Sequence, residues 1–356
     1  HFEKKRIRLS GPPQEKINSR LRYLPDHTKH MGHLGFLFLY NNYYRNIDPK
    51  RSIAIWPHLS PNSFYLNKLI EASPINIKLM SRESWNQVIS ENEKDTIMMS
   101  RLPNSVWRFE PIIGAGTGQE FPEFNISSLD LLRTDISTHE FCEDRLVSIG
   151  LDRKRWFSIL HIKEDGAGYE VSGETRDANV LDYEMACQSI RDLGGQVIRM
   201  GSASFPPLPK GFPAIDYANS SIRLDAIDYW LWANCTSWIG NCNGASVAVI
   251  PFGKPRLITN QWPLDPNGPS QDLVIPKLFF SRKRHKFLKF HEIVSHELGR
   301  TMSRSMLGNS DIKLIDNTPE VLNESAIQLH MDIQKTKEHF EVNKIDLSFY
   351  EALRTP

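Results

Sequence analysis

The sequence predicts an α/β protein of two Rossmann-like domains, in which short apolar strands alternate with amphipathic helices around parallel sheets. Three observations predict it. Ser158-Ile159-Leu160-His161-Ile162 and Gln196-Val197-Ile198-Arg199-Met200 are short apolar runs that end at polar residues or glycine, the pattern of strands covered on both faces. Between them Tyr183, Ala186, Cys187, Ile190 and Leu193 fall on one helical face, with Asp182 as N-cap and Gly194-Gly195 as the stop, which completes a strand, helix, strand unit. The third is the run from Cys235 to Asn260, where a short apolar stretch, a Gly/Asn turn, the helix-like Val247 to Phe252 and a second apolar stretch read as strand, loop, helix, strand.

In chain order, residues 1–16 are polar and basic with Pro12-Pro13, a loosely held lead-in. Leu34 to Tyr44 is rich in aromatic and aliphatic residues and reads as the first helix. Ser52 to Trp56 reads as a strand stopped by Pro57, Asn76 to Leu79 as a second strand, and Ser81 to Ile89 as a helix. A boundary is expected near residue 150, just before Arg153-Lys154-Arg155. It gives domains of 1–150 and 151–330 and a helical tail, 331–356. Within the second domain Leu224, Ile227 and Leu231 mark a helix over Leu224 to Asn234, and Thr236 to Gly240 is the strand that follows it. Alternating strands and helices imply a parallel sheet with ligands bound outside the carboxyl ends of its strands. Lys163, Gly201, Tyr217 and Asn243 lie just after such ends or in the loops that follow.

The Asn243 loop opens a helix-like segment, so its backbone N–H groups are placed to hold a phosphate. Asn243-Gly244 allows close approach and Ser246 adds a hydroxyl. An ordinary turn between strand and helix has the same outline. A chain of 356 residues is long enough for two cores, and a net charge of +1 excludes strong attraction to nucleic acid. No apolar run reaches the length of a membrane span, no secretory signal is visible, and the four scattered cysteines form no disulfide scaffold. A cytoplasmic protein is expected.

Other patterns weigh less. His27, His30 and His33 repeat at a spacing that invites zinc, but Pro25 and Gly32 argue for a turn, and no Cys or carboxylate cluster completes a tetrahedron. His291 and His296 flank Glu292 yet stand five apart, so they do not share a helix face as i and i+4 do. Gly114 to Gly118 leads into Gln119-Glu120-Phe121-Pro122 and not into a helix, which reads as a loop and not a phosphate cradle. The basic run Ser281 to Lys286, with Phe287 and Phe290, is either a solvated face or a contact for anionic lipid, and residues 281–290 are the candidate for peripheral contact with a membrane's inner face.

Ordered motifs carry a resemblance. His161-Ile162-Lys163-Glu164, Arg176-Asp177-Ala178, Gly194 through Gly201, Asp216-Tyr217-Ala218, Ile239-Gly240 through Asn243-Gly244, Phe252-Gly253-Lys254-Pro255 and Thr259-Asn260 together resemble a family of bacterial glycosyltransferases of surface-polysaccharide type with the two-domain GT-B architecture. The match spans most of 150–330, with a fainter echo at Gly32-His33-Leu34. The family favours His-x-Arg where this chain has His161-Ile162-Lys163, and Ser-Gly where it has Asn243-Gly244. The resemblance implies transfer of a sugar from a nucleotide-sugar donor to a glycan or lipid-linked acceptor across a cleft between residues near 30 and residues near 163–246. His33 is then the expected base for the acceptor hydroxyl. His161, Lys163, Arg176, Arg199, Gly201, Tyr217, Asn243, Gly244, Ala245 and Ser246 are the expected donor-binding residues. Glu320 and Glu324, one helical turn apart behind Thr318 and Pro319, are expected to meet ribose or sugar hydroxyls. No D-x-D triplet occurs, so no metal or other cofactor is expected. An epimerase or hydrolase on the same framework, or a silent binding module, fits the same motifs.

Overall fold

The computed structural model of the chain describes residues 7–8, 21–24, 34–35, 38, 52–55, 63–73, 76–79, 83, 98–101, 107–108, 132, 134, 136–164, 177–241, 243–262, 264, 272–296, 299 and 304–339. His27, His30, His33, the Gly114 to Gly118 run, Arg176 and Cys242 lie outside the described residues. The chain divides into two compact units, His1–Pro122 and Glu123–Pro356. This division falls before the boundary read near residue 150. The reason is the helix Ile136–Val147, whose Cys142 thiol donates to the Ala226 carbonyl at 3.6 Å and so belongs with the second unit.

In the first unit β2 (Leu21–Leu24), β3 (Ser52–Ile55) and β4 (Asn76–Leu79) form a parallel sheet in that order. Helix α1 (Ser63–Ala72) is the crossover from β3 to β4 and buries Tyr65, Leu66 and Leu69, one turn apart on one stripe. Leu34, Gly35 and Phe38 are helical and buried, in the stretch read as the first helix. The lead-in contributes more than its composition implies, since β1 (Ile7–Arg8) pairs antiparallel with β5 (Met98–Arg101), which pairs with β6 (Trp107–Arg108).

The second unit is built on six parallel strands in the order β12-β11-β10-β7-β8-β9. They are β7 (Phe157–His161), β8 (Gln196–Arg199), β9 (Ile215–Asp216), β10 (Ser237–Asn241), β11 (Arg256–Gln261) and β12 (Leu273–Pro276). Helix α2 (Ile136–Val147) precedes them, and α3 (Glu184–Asp192), α4 (Asp225–Asn234) and the short α5 (Ala245–Ala248) connect them. The entry to α3 is a 3₁₀ turn, Val180–Tyr183, capped by Asn179, whose Oδ1 accepts from Leu181 N at 3.1 Å; the cap therefore lies before the expected Asp182. On one face Leu160, Val197, Ile239 and Leu257 pack with Ile190 of α3 and with Leu322, Ala326 and Leu329. On the other, Phe157 stacks on Trp230 of α4 at 5.8 Å. Cover on both faces is why β7, β8, β10 and β11 are buried along almost their whole length.

Two further features were not legible. A three-stranded antiparallel sheet, β14 (Lys286–Phe287), β13 (Leu278–Ser281) and β15 (Ile312–Ile315), packs with α6 (Phe290–Ser295) around Trp262, Phe279, Ile293 and Ile312, and α7 (Arg304–Asn309) leads into β15. The basic run Arg282 to His285 is the exposed turn of the β13–β14 hairpin. Helix α8 (Pro319–His339) also runs unbroken through residue 330, where a tail was expected to begin. It is fastened from inside: His330 Nδ1 donates to Ala326 O at 2.8 Å, which leaves Nε2 to accept from the Ser158 hydroxyl of β7 at 2.9 Å, with Ser237 of β10 at 3.2 Å. Among the described residues no helix is long and apolar enough to cross a membrane.

Next to β11, Arg256 is buried against fully buried Asp272, donating from Nε to Oδ2 at 2.9 Å and from its backbone N to Oδ1 at 3.1 Å. Removing one partner strands the other charge in the core. Asp272→Ala should therefore cost about 3–5 kcal/mol in urea unfolding, while Arg256→Met with Asp272→Leu should recover most of that loss. A single-variant loss under about 1 kcal/mol would show that the pair contributes little.

Candidate functional site

The strand order reverses between β7 and β10. The chain first builds outward through β8 and β9, then returns to lay β10, β11 and β12 on the other side of β7. The loops that leave β7 and β10 therefore depart in opposite directions and open a crevice at the carboxyl edge of the sheet. His161, Lys163, Asn243 and Ser246 all sit at this edge.

The two loops are latched together. Asn241, the last residue of β10, accepts from Lys163 N and donates to Lys163 O, both at 2.8 Å. Asn243 Nδ2 donates to Asn241 O at 2.9 Å and to Asn241 Oδ1 at 3.0 Å, and its Oδ1 accepts from Ala245 N at 2.8 Å, which closes a turn just ahead of α5. The Ser246 hydroxyl donates back to Asn243 O at 2.7 Å. The Ala245 amide and the Ser246 hydroxyl, read as phosphate donors, are thus bonded within the loop, and α5 is only four residues long. Gly240 lets the strands come together: a Cβ there would meet His161 O at 2.2 Å.

The cations at this edge are balanced. Lys163 is buried with its Nζ 3.0 Å from Asp177 Oδ1. Arg199, only 1% exposed, donates to Glu164 at 2.8 Å, to Asp216 at 3.0 Å and to Pro206 O at 3.0 Å, and lies over the Phe205 ring. It ties together the loops after β7, β8 and β9. Gly201 follows, where a Cβ would meet that same Phe205 ring at 2.5 Å. Tyr217 is buried and donates from its hydroxyl to Asp228 Oδ1 at 2.8 Å. Burial pushes the Asp228 carboxyl up to about 6. His161 is half-buried, its Nδ1 has no hydrogen-bond partner, and burial, helped by the charges of Arg199 and Arg223, lowers its pKa to about 4.

Nearby, the end of β11 is tied to the start of α8. Asn260 and Asn317 exchange backbone-to-side-chain bonds at 2.7 Å in both directions, and Tyr183 OH meets Thr259 Oγ1 at 2.5 Å. Glu320 and Glu324 are both exposed on the first turns of α8, and a hydrogen bond from Thr318 holds Glu320 below the usual carboxylate range. Asn241, Asp228, Asn317 and Arg223 were not singled out from the sequence. Asp228 alone left a signal, as an acidic residue in the first turn of a helix.

No family model and no curated protein matches the sequence. Solved structures do. A glycosyl transferase of family 9 from Veillonella parvula is 11% identical, covering 87% of this chain and 96% of its own, with a TM-score of 0.50. An ADP-heptose LPS heptosyltransferase II from E. coli is 15% identical over 89% of this chain and 99% of its own, with a TM-score of 0.48. The architecture is GT-B. At such identity the likeness speaks for the GT-B fold alone. The iron-containing dodecameric glycosyltransferase TibC from enterotoxigenic E. coli also matches, at 11% identity over 88% of this chain and 79% of its own, with a TM-score of 0.45. That match corrects the expectation of no metal or cofactor, because a glycosyltransferase among the matching structures is iron-containing and the missing D-x-D triplet is therefore no sign of metal independence. Among the described residues no group of three or more His, Cys, Asp or Glu stands together to hold a metal ion.

His161 gives the GT-B unit a pH signature. In the folded chain it takes a proton only near pH 4, against 6.5 when unfolded, so its contribution is complete above pH 6.5 and is lost as the pH falls toward 4. Asp228 acts oppositely: its folded value near 6 against 3.8 gives a contribution complete below 3.8 and lost as the pH rises through 6. Subtracting the stability profile of wild type from that of His161→Gln isolates the first term. The variant should gain on wild type by up to about 3 kcal/mol between pH 7 and pH 4, and a constant difference would show that His161 titrates normally.

Proposed function

We propose that this chain is a glycosyltransferase that moves a sugar from a nucleotide-sugar donor to a glycan or lipid-linked acceptor. One observation carries the reading: on a GT-B fold, the reversal between β7 and β10 brings together the two loops whose motifs resemble the glycosyltransferase family. Glycosyl transfer needs a base for the acceptor hydroxyl and stabilisation of the departing diphosphate. In this proposal Lys163, held by one carboxylate, supplies a point charge to the diphosphate. Arg199, balanced by two carboxylates, positions the three loops it ties. Gly244, Gly201 and Tyr217 shape the crevice, Arg176 adds a guanidinium, and Glu320 and Glu324 meet ribose or sugar hydroxyls. His33 is the base. The exposed β13–β14 hairpin, with Arg282 and Lys283 in its turn and Lys286 in β14 beside Phe287 at 50% exposure, supplies peripheral contact with a membrane that carries a lipid-linked acceptor.

Thermal-shift measurements against a panel of nucleoside diphosphates and nucleotide sugars test the reading first, since a ligand of the folded state raises the unfolding temperature. A panel with no active member would overturn it. Lys163→Gln should weaken binding of the active nucleoside diphosphate by about 1.5–3 kcal/mol in calorimetric titration, and unchanged affinity would remove Lys163 from the site. His33→Ala should lower turnover by about 10²–10⁴-fold while leaving donor affinity nearly intact. Near-normal turnover would move the base elsewhere.

A further inference from the structure

The buried cations of the second unit each face a carboxylate: Lys163 faces Asp177, Arg199 faces Glu164 and Asp216, Arg256 faces Asp272, and Lys277 faces Asp316. Arg223 differs. It lies in the loop between β9 and α4, on the carboxyl side of the sheet, and it makes no ion pair with any described residue. Its Nε is buried without a hydrogen-bond partner, although the residue as a whole is partly exposed. A buried guanidinium N–H without an acceptor is a cost to the fold that a bound acceptor removes. Asp225 and Asp228 of α4 feel its charge, yet neither comes within ion-pair distance. His161 at the end of β7 feels it too, and His161 Nδ1 is itself buried without a partner. Two nitrogens without a hydrogen-bond partner therefore stand on the carboxyl side of the sheet, one at the end of β7 and one in the loop that enters α4, the helix that packs on β7 through the Phe157–Trp230 stack.

We propose that Arg223 and His161 together hold an anionic oxygen of the ligand at the carboxyl end of β7, and that this oxygen belongs to a phosphoryl group, the diphosphate of a nucleotide donor. The inference rests on the glycosyltransferase reading and sharpens it. Of the cations that the motifs single out, Arg199 is balanced by two carboxylates and Lys163 is held by one, whereas Arg223 makes no ion pair with any described residue and adds a second charge beside Lys163. The guanidinium Nε–H is a donor, and a neutral imidazole offers a second N–H from Nδ1 in the matching tautomer. No bond is made or broken in this step; the pair binds and orients.

The assignment has a signature that a structural arginine lacks. A residue that braces the fold is missed when it is removed, but a partly buried guanidinium whose Nε has no acceptor is not. Arg223→Met should unfold without ligand at the same temperature as wild type or higher, while its affinity for inorganic pyrophosphate and for nucleoside diphosphates falls about ten- to a hundred-fold in calorimetric titration. Arg223→Lys should keep part of that affinity, and His161→Gln should weaken it independently. Unchanged pyrophosphate affinity in folded Arg223→Met overturns the inference, and so does a clear fall in its ligand-free unfolding temperature. Glucuronate bound through Arg223 in place of pyrophosphate overturns the phosphoryl assignment. The two readings fail separately. Arg223-dependent pyrophosphate binding with no active nucleotide sugar keeps the anion site and sinks the glycosyltransferase reading. Turnover of a nucleotide sugar with unaltered donor affinity in Arg223→Met does the reverse.

Discussion

Asn241 is the residue on which the carboxyl edge of the second unit depends. Parallel strands β7 and β10 are neighbours whose loops leave in opposite directions, so the edge between them would gape without a tie across it. The Asn241 amide supplies both halves of a backbone pairing to Lys163, one donor and one acceptor, and so continues the β-ladder past the point where the strands part. The side chain is fully buried, where a lost partner is expensive. The latch holds the backbone of the Lys163 loop, the Asn243 turn and the short α5 behind it.

Around the latch, charge is handled by pairing and by the length of the loops. Arg199 draws Glu164 and Asp216 onto one guanidinium, which binds the ends of three strands into a rigid floor. Tyr217 adds the next link, because its hydroxyl reaches the first turn of α4 at Asp228 and also accepts from Leu224 N at 3.3 Å. The same segment carries Arg223. Among the described residues Lys163, Arg199, Arg256 and Lys277 each face a carboxylate, and Arg223 faces none.

The parallel core was legible because burial on both faces writes itself into the sequence. Strands β7, β8 and β4 coincide with the apolar runs to within a residue, and the stop at Gly194 is a left-handed glycine, φ 88°, as the Gly-Gly pair implied. The antiparallel sheet of β13, β14 and β15 was hidden for the opposite reason. Its strands are two to four residues long and partly exposed, and the basic turn between β13 and β14 looked like a charged surface and not like a hairpin. Sequence placed Lys163, Arg199 and Asn243 at or just past strand ends on the carboxyl edge of the sheet, because motif and strand end coincide there. It could not show that Asp177, Glu164 and Asp216 had claimed the two cations, since ion pairs are settled by where loops meet. Arg223 left no trace, standing in a loop with no periodicity around it.

The two departures from the family pattern acquire a physical reading from the same contacts. A serine at position 243 would have one hydroxyl, able to cap the Ala245 amide but with no second arm to reach back to Asn241. Asparagine does both, its Oδ1 accepting from Ala245 N while its Nδ2 donates to Asn241 O and Oδ1. Asn241 in turn fixes the backbone of Lys163, the other departure. A lysine ammonium lacks the guanidinium fork that orients a phosphate by geometry, so it depends more heavily on having its backbone and counter-charge fixed. Here both are fixed, by Asn241 and by Asp177. The two replacements therefore lie in one contact chain, and that chain holds the loop in place.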